Sequence, residues 1–299
     1  MNITAALAVK TVMEREHQPG TLKTWPGVAE EVDGSKPYFV RAGVFKDVDA
    51  CLFSHVASTL ATSWGAPAGT GSIDVIYNFQ GESAHAAAAP WRGKSALDAV
   101  ELMDVGWNFR REHLRLQQRS HYVIPDGGDQ PNVVPSTASV WYYFRELDYP
   151  HIKELWELGT KMAQAAAMMT GAALTGMVVT GEAYPQHSNR PIAEAMYANI
   201  ERVGLPQWSA ADQKLATALQ RELKVPEVGL AAKLPPLGLP VPEERNMGGG
   251  SDDIGSIMFT VPTVTLRYPA NFEAGPGQYI AEQEGEPLHD DSQFPIDSQ

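Results

Sequence analysis

Two adjacent carboxylates and a later histidine are the residues of this sequence whose types and spacing first suggest chemistry. Glu30 and Glu31 stand side by side, and His55 follows an apolar run. A hydrolase that activates water with a cation needs anionic or imidazole ligands for the metal, and a further carboxylate that takes the proton of the water. The two glutamates could divide these tasks, because neighbouring side chains on an extended segment point to opposite sides.

The same residues have an ordinary structural interpretation. The residues after Glu31 are typical of a turn, so Glu30 and Glu31 could be a solvated pair at the start of a loop. His55 alone could be a satisfied core or strand-end residue. The spacing by itself leaves both interpretations open and favours the structural one.

The composition limits the class of protein. The 299 residues carry a formal net charge of −13 and are 43% hydrophobic, which indicates a globular protein with one large core or two modest ones. No cluster of Lys and Arg offers a basic surface to a nucleic acid or an anionic membrane. A single cysteine, Cys51, excludes an intrachain disulfide framework, and no leader-like or membrane-length apolar run occurs. A cytoplasmic location is the expectation that follows.

Apolar periodicity predicts alternating helices and strands. Helices are predicted at residues 3–16, 95–116, 149–170, 191–203 and 209–223. Strands are predicted at residues 20–25, 73–79, 121–124, 139–144, 173–184 and 259–266, with short β or turn elements at 38–45 and 49–55. Between residues 72 and 185 the predicted order is β-α-β-β-α-β, which is the order of a ferredoxin-like domain.

Three motifs, in this order along the chain, resemble one family. They are GESAHAAAAPWRGKSALDAVELM at residues 81–103, PNVVPSTASVWYYFRE at 131–146 and GGGSDDIG at 248–255. Together they resemble the dinuclear-metal aminoacylase and carboxypeptidase family of amidohydrolases. Several motifs in the right order are a stronger signal than any single short motif.

The resemblance implies a catalytic α/β domain, with a mixed sheet and flanking helices, that is interrupted by a ferredoxin-like dimerisation domain. The catalytic domain would comprise residues 1–71 and 186–299, and the dimerisation domain residues 72–185. In the family, a Gly-His-Asp segment with further metal ligands precedes the helix that begins this sequence. No such segment stands upstream of Glu30, so a partial catalytic domain is expected.

The resemblance also implies roles for residues of the catalytic part. Glu30 matches the general base, while Glu31, His55 and His289 match ligands of a divalent metal. The full family site holds two metal ions, and both zinc and manganese suit mixed carboxylate and imidazole ligands.

In the inserted part, the resemblance implies three residues that contact the substrate. His85 matches a catalytic histidine that reaches a substrate oxygen, often across the dimer, and suits the stabilisation of an oxyanion. Asn132 and Arg145 match residues that hold the substrate's amide and carboxylate, and the planar guanidinium of Arg145 suits a carboxylate. Asn132, close to two prolines, could instead form a turn, and Arg145 could be a surface residue.

Two functional hypotheses follow. In the first, the chain is a metal-dependent amidohydrolase that cleaves the amide of an N-acyl or N-aroyl amino acid, with an aminobenzoyl-glutamate type of substrate favoured, and that acts as a homodimer. In the second, it is a non-catalytic relic or subunit that retains only dimerisation. The metal segment that the sequence lacks is the feature that separates them.

Overall fold

The fold combines a two-stranded parallel sheet with a four-stranded antiparallel sheet, and helices flank both. The computed structural model describes residues 2–30, 34–66, 69–246 and 248–270. The helices are α1 (Asn2–Arg15), α2 (Lys36–Arg41), α3 (Ala96–Arg110), α4 (Tyr149–Thr170), α5 (Arg190–Val203), α6 (Ala210–Glu222) and α7 (Ile254–Met258). The strands are β1 (Cys51–Ala57), β2 (Gly71–Gln80), β3 (Arg119–Asp126), β4 (Thr137–Glu146), β5 (Ala173–Ala183) and β6 (Thr263–Pro269). The predicted mixed α/β fold class is confirmed.

The four-stranded sheet is built from one continuous stretch, Gly71–Ala183, here called the four-stranded unit. Its strand order is β3-β4-β2-β5 and its neighbouring strands are antiparallel. With α3 after β2 and α4 after β4, the unit has the β-α-β-β-α-β order that the periodicity predicts.

Helices α3 and α4 begin at side-chain caps and cover one face of this sheet. The Ser95 hydroxyl accepts a hydrogen bond from the Asp98 backbone N–H, and the Asp148 carboxylate accepts one from the His151 N–H. Gly171 ends α4 in the left-handed region, with φ of +70°. The core between helices and sheet contains the alternate, inward-facing residues of the strands: Ile73, Val75, Tyr77, Phe79, Val140, Tyr142 and Phe144.

The two-stranded sheet joins segments that are far apart in sequence. β1 and β6 are parallel, in register from Cys51 opposite Thr263 to Ala57 opposite Pro269. A second core forms beside them, in which Phe45 packs with α7 and Val261. The chain leaves this region at Gly71 and returns at Ala183, and the four-stranded unit lies between these two points.

Three predicted elements differ from the structure. Residues 20–25 pair with no strand in the described part of the chain, and residues 38–45 form the end of α2 and a turn. Pro37 lies in the first turn of α2, where its fixed φ favours a helix. The strand predicted at 259–266 starts only at Thr263, because residues 259–261 form the turn that follows α7, with the Thr260 and Val261 N–H groups bound to the Ile257 carbonyl. Within the described ranges, no helix is both long and apolar enough to cross a bilayer.

Candidate active site in an acidic cavity

A small polar cavity lies where the four-stranded unit meets the segments on either side of it in sequence. Its volume is about 50 Å³, and it is here called the acidic cavity. β2, β4 and β5 form one wall, and the loop before α7 forms another. The lining residues are Glu30, Gly34, Ser72, Asp74, Tyr143, Arg145, Glu182, Ala183, Ser251, Asp252 and Asp253. Five carboxylates and one guanidinium therefore surround the same space.

Arg145 is held at the end of β4 by both parts of the chain. Its Nη1 donates to Ser251 Oγ at 2.9 Å, and its Nε donates to His121 Nε2 at 3.1 Å. Burial and the nearby charges of Arg145 and Arg111 lower the pKa of His121, which favours the neutral imidazole that can accept this hydrogen bond. The guanidinium also lies over the Tyr143 ring, at 5.2 Å from the centroid.

Asp74 is the most unusual titratable group in the cavity. Its side chain is on β2 and is only 7% exposed, and its Oδ1 has no hydrogen-bond partner. Burial raises the pKa of Asp74 to about 7, although the Arg145 charge and the Ser72 hydroxyl oppose the shift. The charge of Asp74, and with it the compensation of the Arg145 charge, therefore changes near neutral pH.

Glu30 lies in a group of three carboxylates. Ligand oxygens of Glu30, Asp252 and Asp253 lie within 4.8 Å of one another, and among the described residues this is the group that could hold a metal ion. The Lys36 ammonium forms an ion pair with Asp253 and lies 4.0 Å from Asp252 Oδ1. Burial raises the pKa of Asp253, and the Lys36 charge opposes this rise.

His85 and Asn132 lie together, but away from the acidic cavity. The Ala86 N–H donates to the Asn132 carbonyl at 2.9 Å, just beyond the ends of β2 and β4. The two strands run antiparallel with Gln80 opposite Thr137 at this end and Ser72 opposite Arg145 at the other. The ends are roughly 27 Å apart, at the rise of about 3.4 Å per residue of an antiparallel strand. One copy of the chain therefore does not bring His85 to Arg145.

The His85 ring is nevertheless oriented for donation. Its Nδ1 accepts the backbone N–H groups of Ala87 and Ala88, at 3.2 and 3.1 Å. In the neutral ring the proton is then on Nε2, which can donate to a substrate oxygen.

The predicted metal ligands are described only in part. Glu31 and His289 lie outside the described residues. His55 lies on β1, half-buried, and its Nδ1 is 2.8 Å from the Val56 carbonyl oxygen. If Nδ1 donates this bond, the lone pair is on Nε2, the arrangement that metal-binding histidines commonly have. His55 does not line the acidic cavity, and its role as a metal ligand stays a prediction.

Several residues of the cavity carry no signal in their local sequence. Asp74 stands within an alternating strand, and Lys36 stands in a turn-rich stretch, so neither has a neighbour in sequence that indicates a site. Asp252 and Asp253 belong to the GGGSDDIG motif, whose run of glycines before two carboxylates was the available signal.

The geometry and the motifs together indicate the class of amidohydrolases and peptidases, and comparison with known proteins supports this. The chain is 36% identical over 224 residues to a subunit of the p-aminobenzoyl-glutamate hydrolase of Escherichia coli strain K12, covering 73% of this chain and 45% of that protein. It is 31% identical over 211 residues to the Xaa-Arg dipeptidase of Mus musculus, covering 69% and 47%. No family model matches the chain. The predicted resemblance is confirmed: the chain is a homologue of these hydrolases, and it spans about half their length.

Solved structures agree on the fold. An aminobenzoyl-glutamate utilization protein from Klebsiella pneumoniae matches with a TM-score of 0.50 and 20% identity, over 76% of this chain and 52% of that one. An aminohydrolase from methicillin-resistant Staphylococcus aureus matches with a TM-score of 0.53 and 18% identity, over 82% and 56%. At this level of identity the likeness concerns the fold alone.

Proposed function

We propose that the chain is the substrate-cleaving part of a metal-dependent amidohydrolase that hydrolyses N-acyl or N-aroyl amino acids of the aminobenzoyl-glutamate type. The observation that carries this proposal is that Glu30 and Arg145 line one cavity, in a chain homologous to a p-aminobenzoyl-glutamate hydrolase. Glu31, His55 and His289 would hold a zinc or manganese ion, which when bound polarises the scissile carbonyl and acidifies water.

The residues of the chain would perform the remaining steps. The Glu30 carboxylate takes a proton from the attacking water and returns it to the nitrogen of the leaving amine. The Arg145 guanidinium donates paired hydrogen bonds to the substrate carboxylate. The Nε2–H of His85 donates to the oxygen on which negative charge develops, and Asn132 holds the amide.

These roles require two copies of the chain, because His85 and Asn132 lie at the opposite end of the sheet from Arg145. We propose a homodimer in which the partner's copies of these residues complete the cavity. The surface for it is the edge strand β3 together with α3, here called the α3–β3 surface. It exposes apolar side chains: Leu102, Val105, Phe109, Val123 and Ile124.

The opposite sheet edge is less suited to a second copy. β5 is the other edge strand, but Val178, Val179 and Thr180 line a groove together with Val28, Tyr38 and Phe39 of the same chain. No residue of β3 lines this groove or the acidic cavity. Helix α3 packs beside β3, where Trp107 Nε1 donates a hydrogen bond to Ser120 Oγ at 2.7 Å.

The test is an assay of the full chain with added Mn²⁺ or Zn²⁺. p-Aminobenzoyl-glutamate, N-acetyl amino acids and a dipeptide ending in arginine are offered in parallel, with an exposed-residue variant, Glu201→Gln, as the control. Release of p-aminobenzoate that depends on metal and is lost on Arg145→Gln supports the proposal. A chain that dimerises but cleaves none of these substrates contradicts it and favours the non-catalytic alternative.

The charge of the cavity favours a second candidate substrate. Five carboxylates line the cavity against the Arg145 guanidinium and the nearby Lys36 ammonium, so a cationic group is better compensated there than a second carboxylate. A dipeptide ending in arginine, the type of substrate that the name of the Mus musculus relative states, supplies such a group. Under this alternative, Glu182→Gln lowers kcat/KM for the arginine dipeptide and leaves that for aminobenzoyl-glutamate unchanged or higher.

A further inference from the structure

The ammonium group of Lys36 is buried among carboxylates of the acidic cavity. Lys36 is 8% exposed, and the side chain of Asp253 is 1% exposed. The Lys36 backbone N–H donates to Asp253 Oδ2 at 2.9 Å, and its ammonium donates to Asp253 Oδ1. Both oxygens of one carboxylate are therefore bound to a single residue that lies 217 positions earlier in the chain.

This contact bears on the group of Glu30, Asp252 and Asp253. Three carboxylates within 4.8 Å of one another repel strongly unless a cation lies between them. The Lys36 ammonium supplies a cation to two of the three, because it contacts Asp253 and lies 4.0 Å from Asp252. The ammonium also lies 5.2 Å from the centroid of the Phe53 ring, a cation–π contact that adds to the ion pair.

Asp252 and Asp253 are themselves fixed by the element that follows them. Asp252 Oδ1 accepts the Ile254 N–H at 2.9 Å, at the start of α7, and all of α7 is buried. The buried helix α7 therefore restrains the positions of the Asp252 and Asp253 carboxylates.

A backbone hydrogen bond links Glu30 to Gly34, two residues before Lys36. The Gly34 N–H donates to the Glu30 carbonyl at 3.3 Å, and Gly34 has a φ of +51°, which glycine adopts readily. A Cβ at this position would lie 3.5 Å from the Glu182 backbone nitrogen and 3.7 Å from Asp253 Cβ, so Gly34 lies close to both β5 and Asp253. The residue that binds the Glu30 carbonyl is therefore next to the Lys36–Asp253 pair.

We propose that Lys36 and Asp253 are positioning residues, in which the Lys36 ammonium is the built-in counter-ion of the Glu30, Asp252 and Asp253 group and holds Glu30 at the wall of the acidic cavity. The catalytic consequence rests on the proposed function. The contact itself does not, so the two can be tested separately.

The experiment compares the full chain with Lys36→Met, Lys36→Arg and Asp253→Asn. Lys10→Met is the matched control, because Lys10 pairs with Glu14 on the exposed surface of α1. In Lys36→Met we expect amide hydrogen exchange of residues 30–41 to become at least about tenfold faster, as restraint of that segment is lost. Lys36→Arg keeps the charge and should exchange within about threefold of wild type. Asp253→Asn removes the counter-charge and should resemble Lys36→Met.

Manganese binding gives a second readout. Removing the ammonium takes the cation from Asp252 and Asp253, which lie beside Glu30, so Lys36→Met should bind one more Mn²⁺ per chain than wild type, and Lys36→Met/Asp252→Asn should not. In turnover, Lys36→Met should lower kcat by about 10-fold or more while KM changes by less than about threefold, because the defect is in the position of the base. Lys10→Met should match wild type in all three measurements.

Three results would overturn the proposal. They are unchanged exchange of residues 30–41 in Lys36→Met, no added Mn²⁺ in that variant, or Mn²⁺ bound by wild type at this group and lost in Asp252→Asn. If Lys36→Met does not fold, amide hydrogen exchange is compared between Asp253→Asn and Lys36→Arg. Equal exchange rates in these two variants would contradict the proposal. A wild-type chain without turnover overturns the proposed function, and exchange and Mn²⁺ binding then decide the role of Lys36 alone.

Discussion

Glu30 and Glu31 are adjacent, yet the proposed function gives them different tasks. Glu30→Gln keeps the volume of the side chain but cannot accept a proton, so we expect turnover to fall about 10²-fold to 10⁴-fold with metal still bound. Glu31→Gln should instead lower metal occupancy, because a ligand loses its negative charge. Turnover and metal content measured on the same preparations separate the two effects. Near-normal turnover of Glu30→Gln at full metal occupancy would show that Glu30 is not the general base and would favour the interpretation as a solvated pair.

Asp74 predicts how the stability of the chain depends on pH. Its pKa is about 7 in the folded chain and near its ordinary value when unfolded, so the folded state binds the proton more tightly. The stability from this group is present below about pH 4 and is lost as the pH rises through about 7. We expect wild type to lose about 1–3 kcal/mol between pH 5 and pH 8 relative to Asp74→Asn.

Chemical denaturation of the metal-free chain at several pH values measures this difference. Glu201→Gln, at an exposed carboxylate of α5, serves as the comparison and should follow wild type at every pH. Curves for wild type and Asp74→Asn that run parallel from pH 5 to pH 8 would show that Asp74 does not titrate in this range.

At the scale of elements, α7 is fixed by a close approach of backbone to backbone. A Cβ on Gly255 would overlap the carbonyl oxygen of Tyr184, which is backbone and cannot move aside. Gly255→Ala should therefore lower the free energy of unfolding by about 1–3 kcal/mol. Gly250→Ala, in the preceding loop, has nothing within 4 Å of the added Cβ and should change it by less than about 0.5 kcal/mol. Equal unfolding midpoints for the two variants would contradict this packing.

Elements with strong local signals were predictable from sequence. Helix α4 spans the predicted 149–170, because Asp148 caps its start, Gly171 ends it and its apolar face is regular. The predicted strand at 20–25 failed for a non-local reason. Its residues favour a strand, but a strand forms only where a partner is available, and in the described chain none pairs with it.

The site was predictable only where a motif existed. Motifs led to Arg145, and the structure places it in the acidic cavity with Glu30. Whether the predicted residues have their assigned roles stays a prediction. The Lys36–Asp253 pair could not be predicted, because it joins residues 217 positions apart and depends on how α7 packs. The separation of His85 from Arg145 likewise depends on strand register, which periodicity does not reveal.

At the scale of the molecule, the α3–β3 surface predicts how two copies associate. Phe109 is 70% exposed, so Phe109→Asp should leave the fold of one copy intact while placing a charge in the proposed interface. Sedimentation should show a dimer for wild type and a weakening of about 10-fold or more for Phe109→Asp. Met168→Asp, at a position of α4 that is 82% exposed, should remain dimeric. A dimer that Met168→Asp disrupts and Phe109→Asp does not would place the interface away from the α3–β3 surface.

Mixing two inactive variants tests whether the dimer completes the site. In a mixed dimer of His85→Ala and Glu30→Gln, one cavity keeps its own Glu30 and receives an intact His85 from the partner, while the other loses both. Random mixing should restore about one quarter of wild-type activity, since half of the dimers are mixed and each has one complete cavity. No recovery, with mixed dimers present, would show that each copy uses its own His85.

The four-stranded unit begins and ends at neighbouring positions, with Ser72 of β2 opposite Ala183 of β5. Because the two ends of the unit lie side by side, its insertion does not separate the chain segments before and after it. β1 and β6 can therefore pair in parallel although the unit lies between them in sequence. We therefore expect the four-stranded unit to be separable from the rest of the chain. Residues 71–183 expressed alone should fold, and a short linker in their place should leave β1 and β6 paired; loss of structure in both halves would show that neither folds without the other.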